Sequence, residues 1–203
     1  MADKYHHGDL KAALISYATE HMEKSGFDRL TMRELAQAVG VSHAAAYRHF
    51  ADKHALLNSI AVAGFEQLLA EESLAVGAAG ADPRARMKAS GLAYVHFAAR
   101  CPRRLVHMFG AAADPAAPDD LIVAGANLFG SLESLVREGQ HLGHFRPGDP
   151  RDLAHACWAI AHGVSSLLVL SSLRAPAALD MALTRAERSL DVFLDGLCAQ
   201  PSK

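Results

Sequence analysis

Apolar positions recur at intervals of three and four along most of this chain. No stretch alternates apolar and polar residues with the period of two that a half-buried strand needs. Over residues 9–24 the apolar stripe is Leu10, Ala13, Leu14, Tyr17, Ala18, His21 and Met22, closed by Ser25-Gly26. His21 on that stripe reads as a packed core histidine rather than a ligand. Thr31 and Glu34 form a T-x-x-E capping box, so a second helix is expected to start at Met32, with Met32, Leu35, Ala36 and Val39 on one face. Gly40 stands where that helix must stop and the backbone must turn left-handed. Ser42 is a good N-cap for a short third helix ending near Phe50, with Val41 placed to staple onto Ala46. Asp52 then caps a fourth helix that carries Leu56, Leu57, Ile60, Ala61 and Leu68 and runs to about Leu74.

Residues 77–83 form a loop whose Asp82-Pro83 suits the start of a helix reaching Arg100, with Met87, Gly91, Tyr94, Val95 and Ala98 in its stripe. Cys101-Pro102 breaks it, and a short helix follows through Phe109. Residues 110–120, rich in Ala, Pro and Asp, are the least ordered stretch expected. A helix over 121–140, a turn over 143–148, a long helix opened by Asp149-Pro150 and a last helix opened by Pro176 complete the chain. The last helix carries Leu179, Leu183, Ala186, Leu190, Phe193, Leu194 and Leu197 at helical spacing. No internal repeat and no long heptad run is present. The expected fold is all-α, about nine helices, with the first three short enough to form a small domain over 1–54 and the rest a larger one over 55–203.

Composition agrees: 51% of the 203 residues are hydrophobic and few are aromatic. Residues 153–173 hold no Lys, Arg, Asp or Glu, a run of 21 that is long enough to span a bilayer. It also holds His155, His162, Ser165, Ser166, Ser171 and Ser172 and lacks aromatic belts, so it reads as a buried or dimer-forming helix and not a membrane span. The polar N-terminus argues against a signal peptide. Three widely spaced cysteines, Cys101, Cys157 and Cys198, fit a reduced, cytoplasmic setting.

Net charge does not point to nucleic acid. Residues 1–58 carry seven basic and seven acidic groups, and the chain as a whole is −2. Binding to a polyanion would have to rest on a local footprint, with Arg33, Arg48 and Lys53 as its cations. Six of the twelve histidines precede residue 55 and add positive charge when protonated below pH 7.

The informative stretch is 31–53: two short helices around Val39-Gly40-Val41, followed at once by a third. Its spacing is that of a helix-turn-helix, in which the second helix enters the DNA major groove. The first turn of that helix, Ser42, His43, Ala44 and Ala45, is small or polar, which lets a backbone approach base edges closely. A helical hairpin in an ordinary core would share the same spacing. The stretch resembles the DNA-binding domain of the TetR/AcrR family of bacterial transcriptional regulators: Thr31, Met32, Arg33, Glu34, Leu35 and Ala36; then Gly40, Val41 and Ser42; then Tyr47, His49 and Phe50; then Lys53, Leu56 and Leu57. Tyr5-His6-His7-Gly8-Asp9-Leu10 extends the likeness to one branch. Ala44 stands where many members carry Gly, and the helix offers few long polar groups.

Further on, Cys157-Trp158-Ala159-Ile160-Ala161-His162-Gly163 is similar to the Trp-x-x-x-His-Gly signature of one branch, which also tends to carry a segment like Tyr94-Val95-His96-Phe97-Ala98 with Pro102. The resemblance implies a homodimer paired through 153–173 and 177–198, a double-stranded DNA operator as partner, and an unknown small, largely apolar effector. No Ser-His-Asp order, G-x-S-x-G, G-x-G-x-x-G or Walker motif appears, so no catalytic residue and no cofactor is expected. By place in the motif, Arg33, His43 and Ala45 are expected at base edges, with Ala44 beside them. Thr31, Ser42, Tyr47, His49 and Lys53 are expected at phosphates, with Arg48 as a further cation. Trp158 and His162 share a helix face and read either as a pocket wall or as a structural contact. Met87, Tyr94, Phe97, Cys101, Met108, Phe109 and Phe129 are candidates for the rest of the wall. His141 and His144 are three apart with His155 and His162 downstream, but no carboxylate or Cys completes a metal set, so no metal is expected. The expected function is a ligand-responsive repressor. The alternatives are an activator of the same architecture, or a helical small-molecule-binding protein or enzyme whose first helices dock a protein.

Overall fold

The computed structural model describes residues 10–27, 30–174 and 179–198. Among them nine helices follow in order: α1 Leu10–Ser25, α2 Met32–Val39, α3 His43–His49, α4 Lys53–Ala78, α5 Pro83–Arg100, α6 Pro102–Ala112, α7 Asp119–His141, α8 Pro150–Arg174 and α9 Leu179–Leu197. The all-α expectation holds. The Tyr5-to-Asp9 opening and Pro176 lie outside the described residues. Three helices run further than the sequence pattern indicates. α4 continues one turn past Leu74, α6 reaches Ala112, and α7 starts at Asp119. At α7 the reason is local: Asp119 and Asp120 lie in the first turn, where acidic side chains complement the helix dipole, and the Pro118 carbonyl accepts from Leu121 and Ile122.

The chain divides into two compact units, 1–64 with 103–122, and 65–102 with 123–203. In the first, Leu14, Leu35, Ala46, Leu56 and Ile60 are fully or almost fully buried and join α1, α2, α3 and the start of α4 in one core. The short helix α6 is fastened to it from three sides. The Glu23 carboxylate accepts from the backbone N–H of Arg103 and Arg104 at 3.2 and 2.8 Å, capping the first turn of α6. His107 Nε2 lies 2.9 Å from the Leu57 carbonyl oxygen. Gly64 meets Met108 so closely that a Cβ there would lie 2.5 Å from the Met108 sulfur.

In the second unit α5 packs on α8 and α9. The buried face of α8 runs Ala154, Cys157, Ala161, Ser165 and Leu168, at helical spacing. Ion pairs from Arg84 to Asp191 and Asp195, from Lys88 to Glu187 and Asp191, and from Arg86 to Glu138 tie α5 to α9 and α7. After α7 the chain turns at Gly143 (φ 72°), lays Phe145 over Gly139, and returns a backbone bond from Arg146 to Leu197 at 2.9 Å. Pro150–Leu170 is the one helix among the described residues long and apolar enough to cross a membrane. It is part of this packed unit, with His155 and His162 on its length.

Candidate functional site

The local signals of 31–53 act as the sequence indicates. The Thr31 hydroxyl accepts from Glu34 N at 3.2 Å, and the Glu34 carboxylate accepts from Thr31 N at 2.9 Å, so both halves of the capping box form. These bonds hold the Glu34 carboxyl below the usual carboxylate range. Gly40 closes α2 at φ 78°, a left-handed conformation with open space beside it. Ser42 caps α3 by accepting from Ala45 N at 3.2 Å, and Asp52 accepts from Ala55 N at 2.8 Å at the start of α4.

These caps fix which face of α3 points out. His43, Ala44, Tyr47 and Arg48 are exposed and share one side, while Ala45 and Ala46 are buried. The rings of His43 and Tyr47, one turn apart, lie 4.6 Å between centroids. Thr31, Arg33 and Ser42 are exposed and His49 is half-buried. Ala45 is therefore a correction: it was expected at a base edge, but at 8% exposure its methyl faces the core. On a seven-residue helix two adjacent alanines fit either face from the sequence alone, and the packing of α1 and α2 decides. Lys53 also differs from a simple surface cation. Its Nζ donates to the Phe27 carbonyl at 2.8 Å and lies 4.8 Å from the Phe27 ring centroid, which ties the start of α4 to the loop after α1.

In the second unit the structure brings Tyr94, Trp158 and His162 together. The Tyr94 hydroxyl lies 2.7 Å from His162 Nδ1, and the Trp158 and His162 rings are 5.6 Å apart. Burial lowers the His162 pKa and raises that of Tyr94, so both groups are neutral near pH 7. The hydroxyl then donates to Nδ1, and the imidazole proton sits on Nε2. Along α8, His155 continues the row, 6.2 Å from Trp158 and 4.5 Å from Phe129 of α7. Met87 is buried in the core against which Phe129 packs; Phe97 is fully buried and Cys101 half-buried. Met108 and Phe109 fall in the first compact unit, and the other seven wall candidates in the second. Among the described residues no group of three or more metal-ligating side chains gathers.

Three residues escaped the sequence reading. Glu72, in α4, is 6% exposed and accepts from Ser90 Oγ of α5 at 3.0 Å. In the run Ala70-Glu71-Glu72-Ser73 it looks like one of two solvated acids, and nothing local distinguishes it from Glu71. Ser165 is fully buried with no partner for its hydroxyl among the described residues. Glu23 caps α6 from 80 residues away.

A short exposed helix set behind a left-handed glycine turn defines the class: a helix-turn-helix transcription regulator. The sequence comparisons specify the family. A model of the bacterial regulatory proteins of the tetR family matches residues 14–60, and a model of the tetracycline repressor-like C-terminal domain matches residues 87–192. The chain belongs to the tetR family. A protein of unknown function from Rhodococcus sp. RHA1 is 36% identical, covers 98% of this chain and 100% of its own, and superposes with a TM-score of 0.84. A TetR-family transcriptional regulator from Pectobacterium atrosepticum shares the fold at 20% identity, with 97% of each chain covered and a TM-score of 0.72. A ketosteroid transcriptional regulator of Mycobacterium tuberculosis does so at 17% identity, with 98% of each chain covered and a TM-score of 0.63. None of the curated proteins matches this chain. The protein is thus a DNA-binding transcriptional regulator and not an enzyme, and the enzyme alternative falls away.

Proposed function

We propose that the protein is an effector-responsive repressor that binds a palindromic operator as a homodimer in the cytoplasm. Residues 1–54 serve as the DNA-reading domain and 55–203 as the effector and dimer domain, of the Trp-x-x-x-His-Gly branch. The observation that carries the reading is the exposed face of α3. His43 and Arg33 read base edges, and Ala44 permits close approach. Thr31, Ser42, Tyr47, Arg48, His49 and Lys53 position the helix on phosphates. Few long polar side chains reach the groove, so sequence-dependent DNA shape contributes to specificity. Two copies would place their α3 helices about one helical turn, roughly 34 Å, apart or a multiple of it.

Dimerisation through 153–173 and 177–198 is supported by apolar side chains that this chain leaves uncovered. Leu167, Leu170, Met181 and Val192 are each more than half exposed on α8 and α9, beside a groove of about 460 Å³ between those helices. For control, α4 is the natural lever, since its residues up to Gly64 belong to the first unit and those from Phe65 to the second. A small, largely apolar effector among Tyr94, Phe97, Phe129, Trp158 and His162 releases DNA only if it binds the non-DNA state more tightly. Sedimentation with and without a duplex operator tests the reading. Two chains per half-site pair support it, and a monomer on DNA refutes it.

A further inference from the structure

We propose that the effector is an organic cation, a protonated amine on an apolar body, whose nitrogen is held by Glu72 beside Tyr94. This rests on the reading of the second unit as an effector domain and names the chemistry it takes. Glu72 is an acid enclosed in the unit with no cationic partner: among the described residues no Lys, Arg or His forms an ion pair with it, while its neighbour Glu71 takes Arg100. Among the described residues its side chain accepts a 3.0 Å hydrogen bond from Ser90 Oγ. One turn along α5 from Ser90 stands Tyr94, whose hydroxyl feels the Glu72 charge and meets His162 of α8. Trp158 lies beside that histidine. One turn beyond His162, Ser165 holds a buried hydroxyl without a partner among the described residues. Among the described residues the groups joined through Glu72, Ser90, Tyr94 and His162 are therefore one carboxyl, neutral hydrogen-bonding groups and aromatic faces; the guanidinium of Arg151 stands apart from them, over the Phe129 ring at 5.7 Å. An anionic effector would face the carboxyl with nothing to neutralise it. A cation would gain a counter-ion and two aromatic rings.

Burial pushes the Glu72 carboxyl up to about 8, against the opposing hydrogen bond from Ser90. Near neutral pH the carboxyl is therefore protonated and uncharged. A bound ammonium takes the place of that proton: the O–H bond of Glu72 breaks, the proton passes to solvent, and the carboxylate pairs with the ammonium. His155 of α8 lies on the far side of Trp158, against Phe129, and Tyr94, His162 and Cys157 keep their charge over pH 7–9. Burial holds Tyr94 as the phenol, His162 as the neutral imidazole, and Cys157 of α8, pushed up to about 12, as the thiol.

Trp158 is the only tryptophan in the chain, so its fluorescence reports directly on this cluster. The test titrates the full chain with 4-phenylbutylamine, 4-phenylbutan-1-ol and 4-phenylbutanoate, three probes with one tail and different heads. At pH 8.5 the amine is expected to bind at least tenfold more tightly than the alcohol, with the carboxylate weakest. Amine affinity should rise nearly tenfold per pH unit from pH 6 to about 8 and then level off, while the alcohol is insensitive to pH. Glu72→Gln should reduce amine affinity to that of the alcohol and remove its pH dependence. The pH profile of the unaltered protein carries the test even if the variant folds poorly. Equal binding of amine and alcohol, a preference that survives Glu72→Gln, or no Trp158 response to any probe overturns the proposal. DNA binding measured on the same samples separates the two readings. A chain that binds DNA but ignores head-group charge overturns the cation site alone. One that prefers the amine but never binds DNA overturns the regulator reading and supports the site.

Discussion

Lys53 at the start of α4 donates from its Nζ to the carbonyl oxygen of Phe27, 26 residues earlier, at 2.8 Å. The bond closes the two ends of the α2–α3 segment, so this lysine has a structural duty besides any contact with a phosphate. An ammonium has three protons, and one is committed here. Lys53→Ala is therefore expected to lower stability by about 1–2 kcal/mol, the range of a partly buried hydrogen bond from a charged donor. It should also weaken binding to every DNA sequence alike, with the slope of log K against log salt falling by about one. Arg48→Ala, on the exposed face of α3, should reproduce the salt effect without the loss of stability. Urea unfolding and DNA titrations at several salt concentrations check the pair.

Ser42 holds the entry to α3 through one bond to Ala45 N. Ser42→Ala should cost about 1 kcal/mol, and Ser42→Gly only a few tenths, because glycine tolerates the cap conformation and leaves the N–H open to water. Chemical denaturation of both variants distinguishes loss of the cap from loss of a phosphate contact, since only the former appears without DNA.

The raised pKa of Glu72 makes stability depend on pH. The folded state keeps this proton up to about 8, whereas the unfolded chain releases it near 4.5. Between those values the folded state binds more protons, so stability falls as pH rises through the window and flattens above it. Glu72→Gln removes the titration. It should flatten the profile and leave the variant more stable than the parent at pH 8–9. Unfolding midpoints in urea at pH 6, 7, 8 and 9 test this. A parent profile that does not fall contradicts the buried state of this carboxyl.

Two glycines of α7 predict opposite outcomes. A Cβ on Gly139 would lie 2.1 Å from the buried Phe145 ring, whereas Gly130 has nothing within 4 Å. Gly139→Ala should destabilise by about 1–3 kcal/mol through overpacking. Gly130→Ala should stabilise by up to about 1 kcal/mol, because alanine loses less freedom in a helix. Thermal unfolding of the two variants measures the contrast directly.

Features set by neighbours within four residues were legible in the sequence. The Thr31–Glu34 box, the Gly40 turn, the Ser42 and Asp52 caps and the Asp82-Pro83 start each depend on side chains that find their own backbone. The family motif rests on the same stretch, which is why the DNA-reading unit could be outlined residue by residue. What stayed hidden depends on contacts across the fold. The inward turn of Ala45 is decided by helices that meet α3 only after folding. Glu72 differs from Glu71 only because Ser90, 18 residues on, lies opposite. Met108 sits against Gly64 in the first unit, 44 residues away in sequence, and no periodicity encodes that contact.

Selection of bound sequences from a random DNA pool, at two salt concentrations, tests the central claim most directly. The account predicts enrichment of a palindrome at physiological salt, with half-site centres one helical turn or a multiple apart, and a broadened motif when His43→Ala is used instead. No enriched sequence at either salt, from a purified dimer with intact helical structure, would contradict it.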